Sequence, residues 1–200
     1  LLGALFMSFN GLLIRLIEVA NGFQILFYRS ITLALIIYVV VHIKRKVSII
    51  QFLRTFDKWD LRVGLCLSFA FSGYVFSIIY TTVASTLFIL ATAPFLAALI
   101  SWILMKEVPR RTTFISMTLS LLGVFIMVYE GFGSEKNFGN LYAIVAALSF
   151  AMSLVLARKS LKSDVLNGTF IGAVLSGFFG LCMAQFGASG ILVNVRDLII

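Results

Sequence analysis

Acidic residues are scarce in this chain. Asp and Glu total 8 of 200 residues, against 16 Lys and Arg, and there are only one histidine, two cysteines and two prolines. Each shortage excludes something. Cys66 and Cys182 lie in separate apolar runs, with no second cysteine or histidine at ligand spacing. Neither marks a metal site, and both read as small apolar fillers. His42 ends an apolar run beside Lys44-Arg45-Lys46, an interfacial position rather than a catalytic one. An integral-membrane enzyme acting on lipid or isoprenoid substrates needs acids, histidines or metal ligands near one interface; one histidine and scattered acids argue against it. No Asp or Glu falls in the middle of an apolar run, so no central protonation site is expected. The acids that remain available for coupling, Glu18 and Glu130, stand at span ends.

Charged residues make up only 12% of the chain, against roughly 25% in an average soluble protein. Hydrophobic residues make up 61%. A soluble domain of this size cannot cover so much apolar surface, so the composition points to a polytopic membrane protein built of helices. A hydrocarbon core of about 30 Å needs about 20 apolar residues in a helix. Seven such runs are present, at 1–17, 23–43, 61–81, 85–105, 112–129, 140–157 and 166–187. The chain begins and ends within apolar sequence, and truncation at both ends is expected.

The net charge of +8 is distributed by position. Twelve of the sixteen basic residues fall on alternate connections, at 44–62, 106–111 and 158–164. This is the positive-inside pattern, and it predicts a cytoplasmic N-terminus in a plasma membrane, the inner membrane of a bacterium. Short basic blocks between spans offer no groove for nucleic acid. Residues 47–56 predict a short interfacial helix with Ile49, Ile50, Phe52, Leu53 and Phe56 toward lipid.

Small residues recur every fourth position in several spans. Gly168, Gly172, Ser176, Gly180 and Ala184 form the longest stripe, with Ala143, Ala147 and Ala151 in the preceding span. Such stripes let helices approach closely in lipid and predict a compact bundle. FMSFNGLLIR (6–15) can be laid on FAMSLVLARK (150–159), and Asn21-Gly22 falls on Asn167-Gly168. Five spans separate these copies. An odd number inverts the second copy, which is the usual construction of secondary transporters. The expected organisation is a first five-span repeat at 1–129, an external linker at 130–139 and the start of an inverted second repeat at 140–200.

The stretch YTTVASTLFILATAPFLAALISWILMKEVPRRTTFISMTLSLLGVFIMV (80–128) resembles the EamA-type family of the drug/metabolite transporter superfamily. The features that carry the likeness are the small and hydroxyl residues after Tyr80, Pro94 in mid-span, Glu107, and Leu122-Gly123-Val124. FYRSITLAL (27–35) matches an arginine early in the second span, and SFN (8–10) a small-residue-plus-Asn pattern in the first. Two places depart from the pattern: Lys106 and Ser116 stand where the family usually has glycine. The resemblance implies the first seven of ten spans in two inverted five-helix repeats. It also implies alternating-access transport of small organic metabolites, amino acids or similar solutes, by export, without a cofactor. A homodimer and a non-transporting membrane scaffold are both compatible with the packing stripes.

Arg29 is the leading candidate for the substrate path. It lies about 9 Å along its helix from Phe23, and an intramembrane cation is a functional candidate by default. It faces a cavity and attracts a carboxylate, or it snorkels to the outer surface, or it pairs with Glu18 around the 18–22 connection. Pro94 frees a carbonyl at Leu90 for Thr92, Thr86 or water, forming either a hinge or a static kink. Asn10 is expected to face the bundle. Tyr74, Ser149 and Ser153 are further cavity liners, while Tyr80 and Trp102 fit an aromatic belt. Glu107, with Arg110 and Arg111, fits a salt-bridged cap on an inner gate.

Overall fold

The computed structural model describes residues 22–46, 48–106, 111–130, 137–160 and 165–186. The described residues form eight helices and no strand. These are α1 (Gly22–Arg45), α2 (Ile49–Arg54), α3 (Lys58–Tyr80), α4 (Val83–Leu90), α5 (Ala93–Met105), α6 (Arg111–Glu130), α7 (Asn137–Lys159) and α8 (Leu166–Phe186). Five helical units are long and apolar enough to cross a membrane: Gly22–Lys44, Lys58–Tyr80, Val83–Met105, Phe138–Lys159 and Leu166–Gln185. Helix α6 covers the run expected at 112–129. The first expected span, with Asn10 and Glu18, lies outside the described residues, as does Glu107. The molecule is an all-α polytopic membrane bundle.

Local signals set the helix boundaries. Asp57 precedes α3 and accepts a hydrogen bond from the Lys58 amide at 2.7 Å, while its own amide donates to Asp60 Oδ2 at 3.0 Å. This reciprocal cap starts α3 three residues before the apolar run begins at 61. Thr82 caps α4 by accepting from the Ser85 amide at 3.1 Å. The span expected at 85–105 is broken at Ala91-Thr92, two residues before Pro94, whose ring and missing amide forbid an unbroken ladder.

Helix α3 packs along both α7 and α8, α1 packs on α8, and α7 also meets α4 and α5. In lipid, close backbone approach holds such contacts, not the exclusion of water. The stripe on α8 serves two partners. A Cβ at Gly172 would lie 2.8 Å from Leu67 Cβ and 3.0 Å from the Gly64 carbonyl oxygen, both on α3. A Cβ at Gly180 would lie 2.9 Å from the Phe23 carbonyl oxygen on α1. Ser176 and Ala184 are buried on the same stripe. Ala143, Ala147 and Ala151 are all fully buried, the first two against Ile89 and Ala93.

Helix α2 corrects one expectation. Ile49, Ile50 and Leu53 are exposed, as an interfacial helix requires. Phe52 is not lipid-facing: it is fully buried with Ile37 and Val41, and its ring meets Phe56 at 5.1 Å and Phe170 at 5.3 Å. In a six-residue helix lying across the ends of α1 and α8, one face points inward, and Phe52 occupies it.

Candidate functional site

Arg29 projects from α1 toward α3. Its guanidinium carbon lies 4.9 Å from the centre of the Tyr74 ring and 5.9 Å from that of the half-buried Phe71. Phe71 and Tyr74 are three residues apart, so one face of α3 presents both rings. The rings do not satisfy the polar atoms. Among the described residues, Arg29 Nη1 and Tyr74 Oη are both buried without a hydrogen-bond partner. Beneath this pair, the helices Arg29 belongs to and faces are closely joined. Ile25 and Leu26 of α1 pack with Tyr74, Val75 and Ile78 of α3.

One residue along α1, the buried hydroxyls of Ser30 and Ser176 share a hydrogen bond of 2.8 Å at the crossing of α1 and α8. The two helices run antiparallel. Phe23, near the start of α1, approaches Gly180, while Ile37 and Val41, near its end, pack with Leu166 and Phe170. An almost wholly apolar groove of about 360 Å³ lies along this crossing, between Phe27 and Tyr38 of α1 and Phe170 and Leu181 of α8. It offers nothing to a polar solute.

Two buried polar clusters tie the ends of the bundle. At the α3–α4 turn, Asn140 Oδ1 of α7 accepts from Thr81 Oγ1 at 3.0 Å and from Ser85 Oγ at 2.9 Å. Ser77 and Thr86 bond beside it at 2.7 Å. Gly139 sits so close to this turn that a Cβ would lie 2.6 Å from the Thr81 amide nitrogen. At the basic end, Asn167 Nδ2 donates to Thr55 Oγ1 at 3.4 Å and to Asp60 Oδ2 at 3.5 Å, joining α8 to the end of α2 and the start of α3.

The remaining candidates do not converge on Arg29. Thr92 is buried, but its hydroxyl donates to the Ile89 carbonyl at 2.6 Å. Thr86 bonds Ser77 and the Thr82 carbonyl, so the two threonines direct their hydroxyls elsewhere and water is left, of the three expected partners, for the carbonyl freed at Leu90. Pro94 is exposed, in the first turn of α5. Ser153 is buried and donates to the Phe150 carbonyl at 2.7 Å; Ser149 is half-buried on the same helix. Tyr80 and Trp102 are exposed, Tyr80 stacking on Tyr142 at 5.9 Å. Phe71 and Asn140 were not legible as site or brace residues. The only signal for Phe71 is its spacing from Tyr74, and for Asn140 its place at the start of an apolar run. Among the described residues no group of three or more His, Cys, Asp or Glu could hold a metal.

The model of the EamA-like transporter family matches residues 1–129. An "Uncharacterized transporter" of Clostridium kluyveri is 26% identical over 123 residues, covering 58% of this chain and 39% of that protein. An "Uncharacterized transporter" of Archaeoglobus fulgidus is 30% identical over 115 residues, covering 55% of this chain and 36% of that protein. The matched part of the chain thus spans well under half the length of these relatives. No solved structure matches the chain significantly. A match over well more than half of the chain, on a bundle of membrane-spanning helices, places this chain in the EamA-like transporter family.

Proposed function

We propose that the protein is a secondary transporter that moves small organic metabolites across the membrane by alternating access between two inverted halves. The observation that carries this reading is the Ser30–Ser176 hydrogen bond. Its partners are 146 residues apart, the same offset that separates Asn21-Gly22 from Asn167-Gly168. Six of the thirteen residues that line the groove beside it stand in pairs at that offset: Phe27 with Ala173, Ile31 with Gly177, and Leu35 with Leu181. Equivalent residues of an inverted repeat meet across its pseudo-two-fold axis, and antiparallel α1 and α8 cross where such an axis would run. Secondary transporters place the substrate near the midplane at this repeat interface. At this offset Arg29 corresponds to Leu175, so the cation has no mirrored counterpart.

A scaffold would share the small-residue stripes, so the intramembrane arginine is what favours a transporter over it. Flux of labelled amino acids, nucleosides and vitamins into proteoliposomes containing the full-length protein tests the reading. Saturable flux of one solute class, absent from empty vesicles, is the expected outcome. Absence of flux for every class, with the protein folded, favours the scaffold. The absence of a mid-span carboxylate is consistent with transport that uses no central protonation site in these spans; export remains part of this proposal.

A further inference from the structure

We infer that Arg29 and Tyr74 form a receptor for the carboxylate of an anionic or zwitterionic solute. This assignment deepens the transporter reading and rests on it. A guanidinium has only donors, so an unpaired Nη1 calls for an acceptor oxygen. The Tyr74 hydroxyl, equally unpaired and carried by the ring the guanidinium covers, supplies a second donor beside it. A carboxylate matches this pair: it accepts from both and neutralises the charge, and charge-assisted bonds of this kind are short and strong.

Magnitudes decide between occupancy and a self-sufficient site. The faces of Tyr74 and Phe71 attract a cation only weakly. Leaving a charge buried and uncompensated costs more than such an attraction returns. The rings therefore cannot balance Arg29 alone. The spanning sequences hold no mid-span Asp or Glu that could do so. In the sequence the acid closest to Arg29 is Glu18, at the end of the preceding run. The two aromatic rings also shape the ligand: next to its carboxylate it meets apolar and aromatic surface, which suits an amino acid or organic acid better than a phosphate or a sugar.

Binding is tested without transport, so a failure here is distinct from a failure of the transporter reading. Thermal unfolding of the full-length protein in detergent is followed in sodium acetate, in acetamide, and in sodium chloride at matched ionic strength. Acetate is expected to raise the midpoint above chloride, and acetamide is not. Arg29→Gln and the milder Tyr74→Phe, which keeps the ring, are expected to lose the acetate-dependent shift. Without acetate, Arg29→Gln is expected to unfold no earlier than the parent protein, because it removes an uncompensated charge. Equal shifts in parent and variants, or no acetate-specific shift in the parent, would overturn the inference. So would a lowered midpoint in both Arg29→Gln and Glu18→Gln with no further loss in the double variant, which would make Arg29 a structural brace.

Discussion

At the scale of single residues, backbone strain and buried polar atoms stand out. Lys106 ends α5 in the left-handed region, at φ 57°. This is the place where the resemblance leads one to expect glycine, and the dihedral gives the reason: only glycine enters that region freely. Lys106→Gly is therefore expected to stabilise the protein by about 1 kcal/mol, read as a raised thermal midpoint in detergent. A lowered midpoint would mean the lysine side chain makes a compensating contact. Asn140 gives the opposite prediction. Asn140→Leu removes the acceptor shared by the buried Thr81 and Ser85 hydroxyls, and should cost about 1–3 kcal/mol. Denaturant titration of the variant reads that loss directly. Sequence alone flagged Arg29 and Tyr74 separately. It did not join them, because periodicity places a residue on a face of its own helix and says nothing of which helix that face meets.

At the scale of elements, the stripe of small residues on α8 was legible, since a four-residue repeat defines one face whatever the partner. Its division between α3 and α1 was not legible, because that depends on how α1 and α8 cross. Gly172 and Gly123 test whether the stripe or mere glycine content matters. A side chain at Gly172 meets Leu67 and the Gly64 carbonyl, while a Cβ at Gly123 meets nothing within 4 Å among the described residues. Gly172→Val should destabilise by about 1–3 kcal/mol through forced separation of α3 and α8. Gly123→Ala should be neutral or gain up to about 1 kcal/mol of helix propensity. Comparing the unfolding midpoints of the two variants checks both; a similar loss in each would remove the stripe from the account. Helix α2 shows the limit of pattern reading. Its existence follows from composition, but four of its six residues are apolar, and that pattern does not say which of them faces lipid and which, like Phe52, the bundle.

At the scale of the whole molecule, membrane character and five of the seven expected spans follow from composition and run length, which depend on the bilayer and not on tertiary contacts. The repeat was a weak sequence signal, two short stretches with a slip of register between them. The pairing of Ser30 with Ser176 supports the 146-residue register for this pair of helices, something no local pattern could select. If the two halves rock about that crossing, the Arg29 site must open to each side in turn. Phe71 stands within 5.9 Å of the guanidinium and is the reporter of choice. With Cys66 and Cys182 replaced by alanine, Phe71→Cys in the full-length protein would be exposed to a membrane-impermeant thiol reagent from either face of oriented vesicles. Alternating access predicts labelling from both faces, each slowed by a bound carboxylate solute. Labelling from one face only, or from neither, would contradict it.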